Sequence, residues 1–130
     1  MKNILILLLL MISTNVFAEW TPVDGSKDGD MTVYVDFETI KKKDNKVKMW
    51  DLFDYKTVQK VGNYRFLSVL DHYEYDCDEE TRRMLDFYWY SGNMKNGEIV
   101  YSQTNIKNEA ESIVPGSISE TKFKIACDKK

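Results

Sequence analysis

Between Thr32 and Thr104 the chain repeats one pattern: a run of β-branched and aromatic residues, then a short polar turn. Thr32 to Ile40 (TVYVDFETI) alternates, with Val33, Val35 and Phe37 on one side and Tyr34, Asp36 and Glu38 on the other. Period two is the mark of a strand with one buried face. Val47 to Tyr55, Tyr64 to Asp76, Arg83 to Ser91 and Glu98 to Thr104 read as further strands, with a short apolar piece at Trp20 to Val23 before them. The connections are a charged turn at Lys41 to Lys46, a loop at Lys56 to Asn63, an acidic turn at Cys77 to Glu80, and a turn at Ser91 to Gly97. Strands joined in order by short polar turns predict a mostly β, α+β domain with a single antiparallel sheet of about six strands.

The period changes near the end. Pro115-Gly116 breaks the chain, and Ser117-Ile118-Ser119-Glu120 is an S-x-x-E capping box that satisfies free N–H groups at a helix start. Ile118, Phe123, Ile125, Ala126 and Cys127 then fall on a broad arc of a helix of about ten residues. A helix this short is marginal alone. It carries one of two cysteines, Cys77 and Cys127.

Those cysteines matter because the chain reads as exported. Lys2 is followed by an unbroken apolar run from Ile4 to Ile12, and Val16-Phe17-Ala18 offers small residues at a cleavage site. Residues 1–18 are therefore expected to be a signal peptide, leaving residues 19–130 as one domain. The apolar run is too short to span a bilayer. No Cys follows the cut, so the expectation is a periplasmic or secreted protein with no lipidation signal. Two thiols in an oxidising compartment predict one disulfide, Cys77–Cys127. Closing a loop of about 50 residues stabilises the fold by roughly 4 kcal/mol on the chain-entropy model.

After the cut the chain holds 17 basic against 21 acidic residues, a balance that exerts no general pull on nucleic acid. The charge is segregated, however. Lys41, Lys42, Lys43, Lys46 and Lys48 cluster in one hairpin, while residues 71–80 hold six acids and no Lys or Arg. Such a patch suits a polyanion or a charged protein surface. The strand Arg83 to Ser91 is aromatic on both sides, Leu85, Phe87 and Trp89 against Met84, Tyr88 and Tyr90, with Tyr73 and Tyr75 on the strand before it. One helix covers one face, so Tyr88 and Tyr90 are candidates for an interface with a protein ligand or a second copy of the chain.

The stretch Val23 to Met31 (VDGSKDGDM) begins like an EF-hand loop, with oxygens at positions 1, 3, 5 and 7 and Gly29 at position 6. The bidentate acid required at position 12 is instead Val35, so the reading is a plain turn with no metal. No catalytic residue is expected either. The chain has one histidine, His72, and no G-x-S-x-G, H-E-x-x-H or C-x-x-C, and no cofactor is implied.

Tyr34-Val35-Asp36-Phe37-Glu38-Thr39-Ile40, Val47-Lys48-Met49-Trp50, Asp54-Tyr55, Cys77 followed by Arg82, Phe87-Tyr88, Pro115-Gly116-Ser117 and Ala126-Cys127 together resemble the bacterial surface-adhesin protein E family. The resemblance covers nearly all of residues 20–127. It implies an antiparallel sheet with a disulfide-held C-terminal helix, and a non-enzymatic adhesin whose partner is a host matrix protein; the lysine hairpin adds a glycosaminoglycan such as heparin as the other candidate partner. The other class compatible with a small disulfide-bonded β domain is a periplasmic inhibitor or envelope-stress protein, for example of lysozyme, met through the acids of Asp76 to Glu80.

Overall fold

The computed structural model describes residues 19–128, so the leader expected over residues 1–18 lies outside the described residues. Six strands follow one another across an antiparallel sheet in the order β1 (Thr21–Gly25), β2 (Met31–Val35), β4 (Lys46–Val61), β5 (Tyr64–Asp76), β6 (Thr81–Tyr90) and β7 (Ile99–Gln103). Two short strands pair off this path, β3 (Lys41–Lys43) on β4 and β8 (Glu111–Ser112) on β6. The helix α1 (Ile118–Asp128) packs on one face. Cys77 and Cys127 are joined, their Cα atoms 5.6 Å apart, so the end of α1 is tied to the tip of β5.

Four local expectations are corrected. The strand predicted over 32–40 stops at Val35, because Asp36 accepts from the Glu38 N–H and caps a 3-10 turn at Phe37–Thr39. Phe37 is consequently exposed instead of sharing the buried side of Val33 and Val35. Lys41 to Lys43 is a strand and not a turn, with Asp44-Asn45 alone reversing the chain into Lys46. Lys56 to Val61 continues β4, past an irregularity between Asp54 and Gln59, where a loop was expected. Finally, β6 bulges between Met84 and Asp86, so that Met84 sits opposite Tyr73 and Phe87 opposite Asp71. A bulge adds one residue and reverses the facing of everything beyond it. Met84 therefore shares the helix side with Phe87 and Trp89, and Tyr88 and Tyr90 point the other way.

The helix face holds the core. Val35, Val47, Met49, Tyr73, Tyr75 and Ala126 form one buried cluster, with Phe123 and the disulfide against it. Capping at Ser117 fixes where α1 begins: its hydroxyl accepts from the Glu120 N–H, and the Glu120 carboxylate accepts from the Gly116 N–H. Ile118, Lys122 and Ala126, one turn apart, form the stripe nearest the sheet, and Lys122 is 2 % exposed. Its ammonium lies on Asp51 and over the rings of Phe53 and Tyr73. A buried lysine is tolerable only with such a partner.

The loop that was read against an EF-hand turns its oxygens inward on its own backbone. Asp28 Oδ1 accepts from Ser26 Oγ and from the Asp30 N–H, and Ser26 Oγ accepts from the Met31 N–H. The Asp30 N–H, and then the Ser26 hydroxyl, hold the Asp28 carboxyl below its usual range. Among the described residues no three acids, histidines or cysteines converge as metal ligands.

Candidate anion-binding face

The sheet face away from α1 can be read row by row, because residues paired across antiparallel strands share a side. Lys43 stands opposite Lys46, and Lys46 opposite Asp76. Next come Lys41, Lys48, Glu74 and Arg83, then Trp50, His72 and Asp86. Beyond these lie Leu52, Leu70 and Tyr88, then Asp54, Ser68 and Tyr90. The five lysines, Tyr88 and Tyr90, separate candidates in the sequence, thus belong to one surface, except that Lys42 pairs with inward-facing Val47 and lies on the hairpin's other side.

The hairpin end is basic. Lys41, Lys42, Lys43, Lys46 and Lys48 surround a depression of about 560 Å³ whose acids are Asp44 and Glu74. All five lysines are exposed. Glu74 is shared between Arg83 at 3.4 Å and Lys46 at 3.9 Å, which leaves the excess positive charge at the other lysines. Lysines on an edge strand are also a common defence against edge-to-edge pairing. That accounts for β3, but not for Lys46 and Lys48 on β4, which place like charges directly opposite Lys43 and Lys41 and so oppose the hairpin's own stability.

An aromatic floor adjoins the lysines. Trp50 and His72 stack with centroids 4.0 Å apart and planes 1° from parallel. His72 Nδ1 is 2.8 Å from Asp86 Oδ2, which fixes the imidazole under the indole. Burial alone would raise the Asp86 carboxyl, but the His72 bond and the Asn105 N–H outweigh it and hold the group below its usual range. A second depression, about 410 Å³, is lined by Lys41, Lys48, Trp50 and His72 together with Glu38 and Thr39. Tyr88, on the strand beyond β5, approaches Trp50 with centroids 6.4 Å apart.

Of the acids at Asp76 to Glu80, Asp76 is engaged within the protein. Asp76 Oδ1 accepts from Asn45 Nδ2 and from the N–H groups of Asp78 and Glu79, so it builds the turn beside the disulfide. Trp50 and His72 were missed as site residues. Lys46, Lys48 and Trp50 at spacing two on one strand was the available signal.

The turn Asn93–Lys95 borders the same face and is held in an unusual shape. Met94 and Lys95 have φ of 52° and 63°, a left-handed conformation that costs non-glycine residues of order 1–3 kcal/mol each. Asp54 Oδ1 accepts from the Met94 N–H and from Asn93 Nδ2, while Ser68 Oγ accepts from the Lys95 N–H and donates to the Gly92 carbonyl. Gly97 supports the turn with φ 77°, and a Cβ there would collide with Ser91 Oγ.

The architecture has solved counterparts. Crystal form II of Haemophilus influenzae protein E superposes with a TM-score of 0.61 at 15 % identity, over 89 % of this chain and 92 % of that one. The protein E structure from non-typeable Haemophilus influenzae gives 0.58 at 15 % identity, over 89 % and 80 %. At this identity the likeness is one of fold. A search of curated proteins finds no match. The model of the family described as surface-adhesin protein E matches residues 20–128, all but the first of the described residues, and the chain belongs to that family.

Proposed function

We propose that this protein is an exported, non-enzymatic adhesin that binds an anionic extracellular ligand, a glycosaminoglycan or a matrix protein bearing one, through the lysine hairpin. Membership of a surface-adhesin family supports the adhesin class. The observation that carries the choice of ligand is the crowding of four exposed lysines of one face, Lys41, Lys43, Lys46 and Lys48, around one depression in a chain whose formal net charge is −3. Lysine is a point charge on a flexible stem, suited to anionic groups at variable spacing. His72 is clamped between Trp50 and Asp86, which fits a platform better than a general base. In this reading residues 1–18 direct export and are removed, so the mature protein begins at Glu19, as intact-mass measurement of the exported form would report.

The test is calorimetric titration of the mature protein with heparin. Lys41→Ser/Lys43→Ser should weaken binding at least tenfold while leaving the melting temperature within a few degrees, because both side chains are exposed. Binding that is absent at low salt, or unchanged by the substitutions, contradicts the proposal.

A further inference from the structure

The hairpin depression is one end of a longer track. It shares Lys41 and Lys48 with the Trp50–His72 depression, which in turn shares Thr39 and Trp50 with a third of about 210 Å³. The third is lined by Trp20, Asp36, Leu70 and Lys95 besides. Its far end is fixed by the Lys95 N–H on Ser68 Oγ, and the near end by Lys46 opposite Asp76. Eight residues of β5 separate Asp76 from Ser68, which at 3.3 Å per residue is a track of about 26 Å.

The charges along it are ordered. The lysines of the hairpin lie at one end and Lys95 at the other, its ammonium 5.5 Å above the Trp20 ring. Among the described residues no carboxylate lies within ion-pair distance of Lys95. Between the two ends Glu38 and Asp36 line the walls and Trp50 the floor, so the middle disfavours anionic groups and offers an aromatic surface. Asp36 is itself held by the Glu38 N–H. The two successive left-handed residues that present Lys95 donate their N–H groups to Asp54 and Ser68, so the backbone that carries the cation is held in place.

We infer that the ligand site runs the length of this face, and that a sulfated oligosaccharide spans it, with anionic groups on the hairpin lysines and on Lys95 and a sugar ring against Trp50 between them. This rests on the hairpin being an anion site. An extended acidic peptide fits less well, because it would bring carboxylates past Glu38 and Asp36 at every few ångströms, whereas a sugar chain presents uncharged ring faces between its sulfates.

The experiment compares heparin-derived tetrasaccharide and dodecasaccharide on the wild type, on Lys95→Asn and on Lys41→Ser/Lys43→Ser. Asparagine accepts the left-handed backbone at position 95 and removes the charge. Lys95→Asn should weaken the dodecasaccharide three- to tenfold and leave the tetrasaccharide unchanged, while the hairpin variant weakens both. If only the hairpin variant weakens the dodecasaccharide, the extended track is wrong and the hairpin reading stands. If neither does, both are wrong. Polyglutamate that competes as strongly as the dodecasaccharide, with the same dependence on Lys95, would overturn the assignment to a sugar chain. Circular dichroism of each variant separates lost binding from lost fold, and should the 95 variant unfold, Lys95→Gln repeats the comparison with more of the side-chain stem kept.

Discussion

Lys122 Nζ lies 3.1 Å from Asp51 Oδ2, with 2 % and 0 % of the two side chains exposed, in the seam between helix and sheet. Asp71 stands directly opposite Asp51 on the next strand and is itself 8 % exposed. The seam therefore holds two carboxyl groups for one ammonium, with Arg82 stacked on the Tyr73 ring nearby. Removing one partner of a buried pair costs about 3–5 kcal/mol, because the other is left uncompensated. Lys122→Met should lower stability by that order in urea denaturation at pH 8, and the double variant Asp51→Leu/Lys122→Met should recover most of the loss. A single variant as stable as wild type would show that the pair does not hold α1 down.

The same seam makes stability depend on pH. Burial, and then the neighbouring Asp51, push the Asp71 carboxyl up to about 7, and burial raises Asp51 as well although Lys122 opposes it. A carboxyl whose folded pKa exceeds its unfolded value of about 3.9 binds more protons in the native state, so its contribution is complete below the lower value and is lost as pH rises through the upper. The melting temperature should thus fall between pH 5.5 and pH 8, and Asp71→Asn should flatten that slope. A wild-type profile that rises over this interval would contradict the assignment.

Cys127→Ser should cost about 4 kcal/mol, the chain-entropy value for a closed loop of about 50 residues. The sequence separation is 50, and the bridge ties the last turn of α1 to the tip of β5. Loss should be seen first as faster amide exchange in α1, with β4 and β5 still protected. Uniform loss of protection would mean that helix and sheet unfold as one unit.

Calcium should not matter to the loop at Asp24 to Asp30. Asp28 Oδ1 is occupied by Ser26 and Asp30, and Val35 in the twelfth position is wholly buried in the core. The melting temperature in chelator and in millimolar calcium should agree. A rise of several degrees that Asp28→Ala abolishes would restore the metal site.

What the sequence conveys here follows how local each signal is. Tyr64 to Asp76 has the expected bounds, because the Gly62-Asn63 and Cys77-Asp78 turns punctuate it on both sides. The Ser117 cap was legible for the same reason. The early end of β2 was not, since Val35-Asp36-Phe37 keeps a period of two while Asp36 leaves the ladder to cap a turn. The bulge in β6 leaves no mark in composition, yet it decides that Tyr88 shares a face with the lysines and Met84 does not. Lys122 falls inside the apolar arc read from the helix, one turn from Ile118 and from buried Ala126, and only that position, against its residue type, hints that it turns inward. Lys95 depends on contacts from Asp54 and Ser68, far away in sequence, and no local pattern announces it.

The central claim, that the lysine face is where the ligand sits, is tested most directly by amide chemical-shift mapping of the labelled mature protein with a heparin dodecasaccharide. Perturbations are expected at Lys41 to Lys48, at Trp50 and His72, and at Lys95. They should fade as salt shortens the Debye length from about 10 Å at 0.1 M toward about 3 Å at 1 M. Shifts gathered instead on Phe87, Trp89 and Tyr101, the aromatic strip on the helix side of the sheet, or shifts absent altogether at low salt, would contradict it.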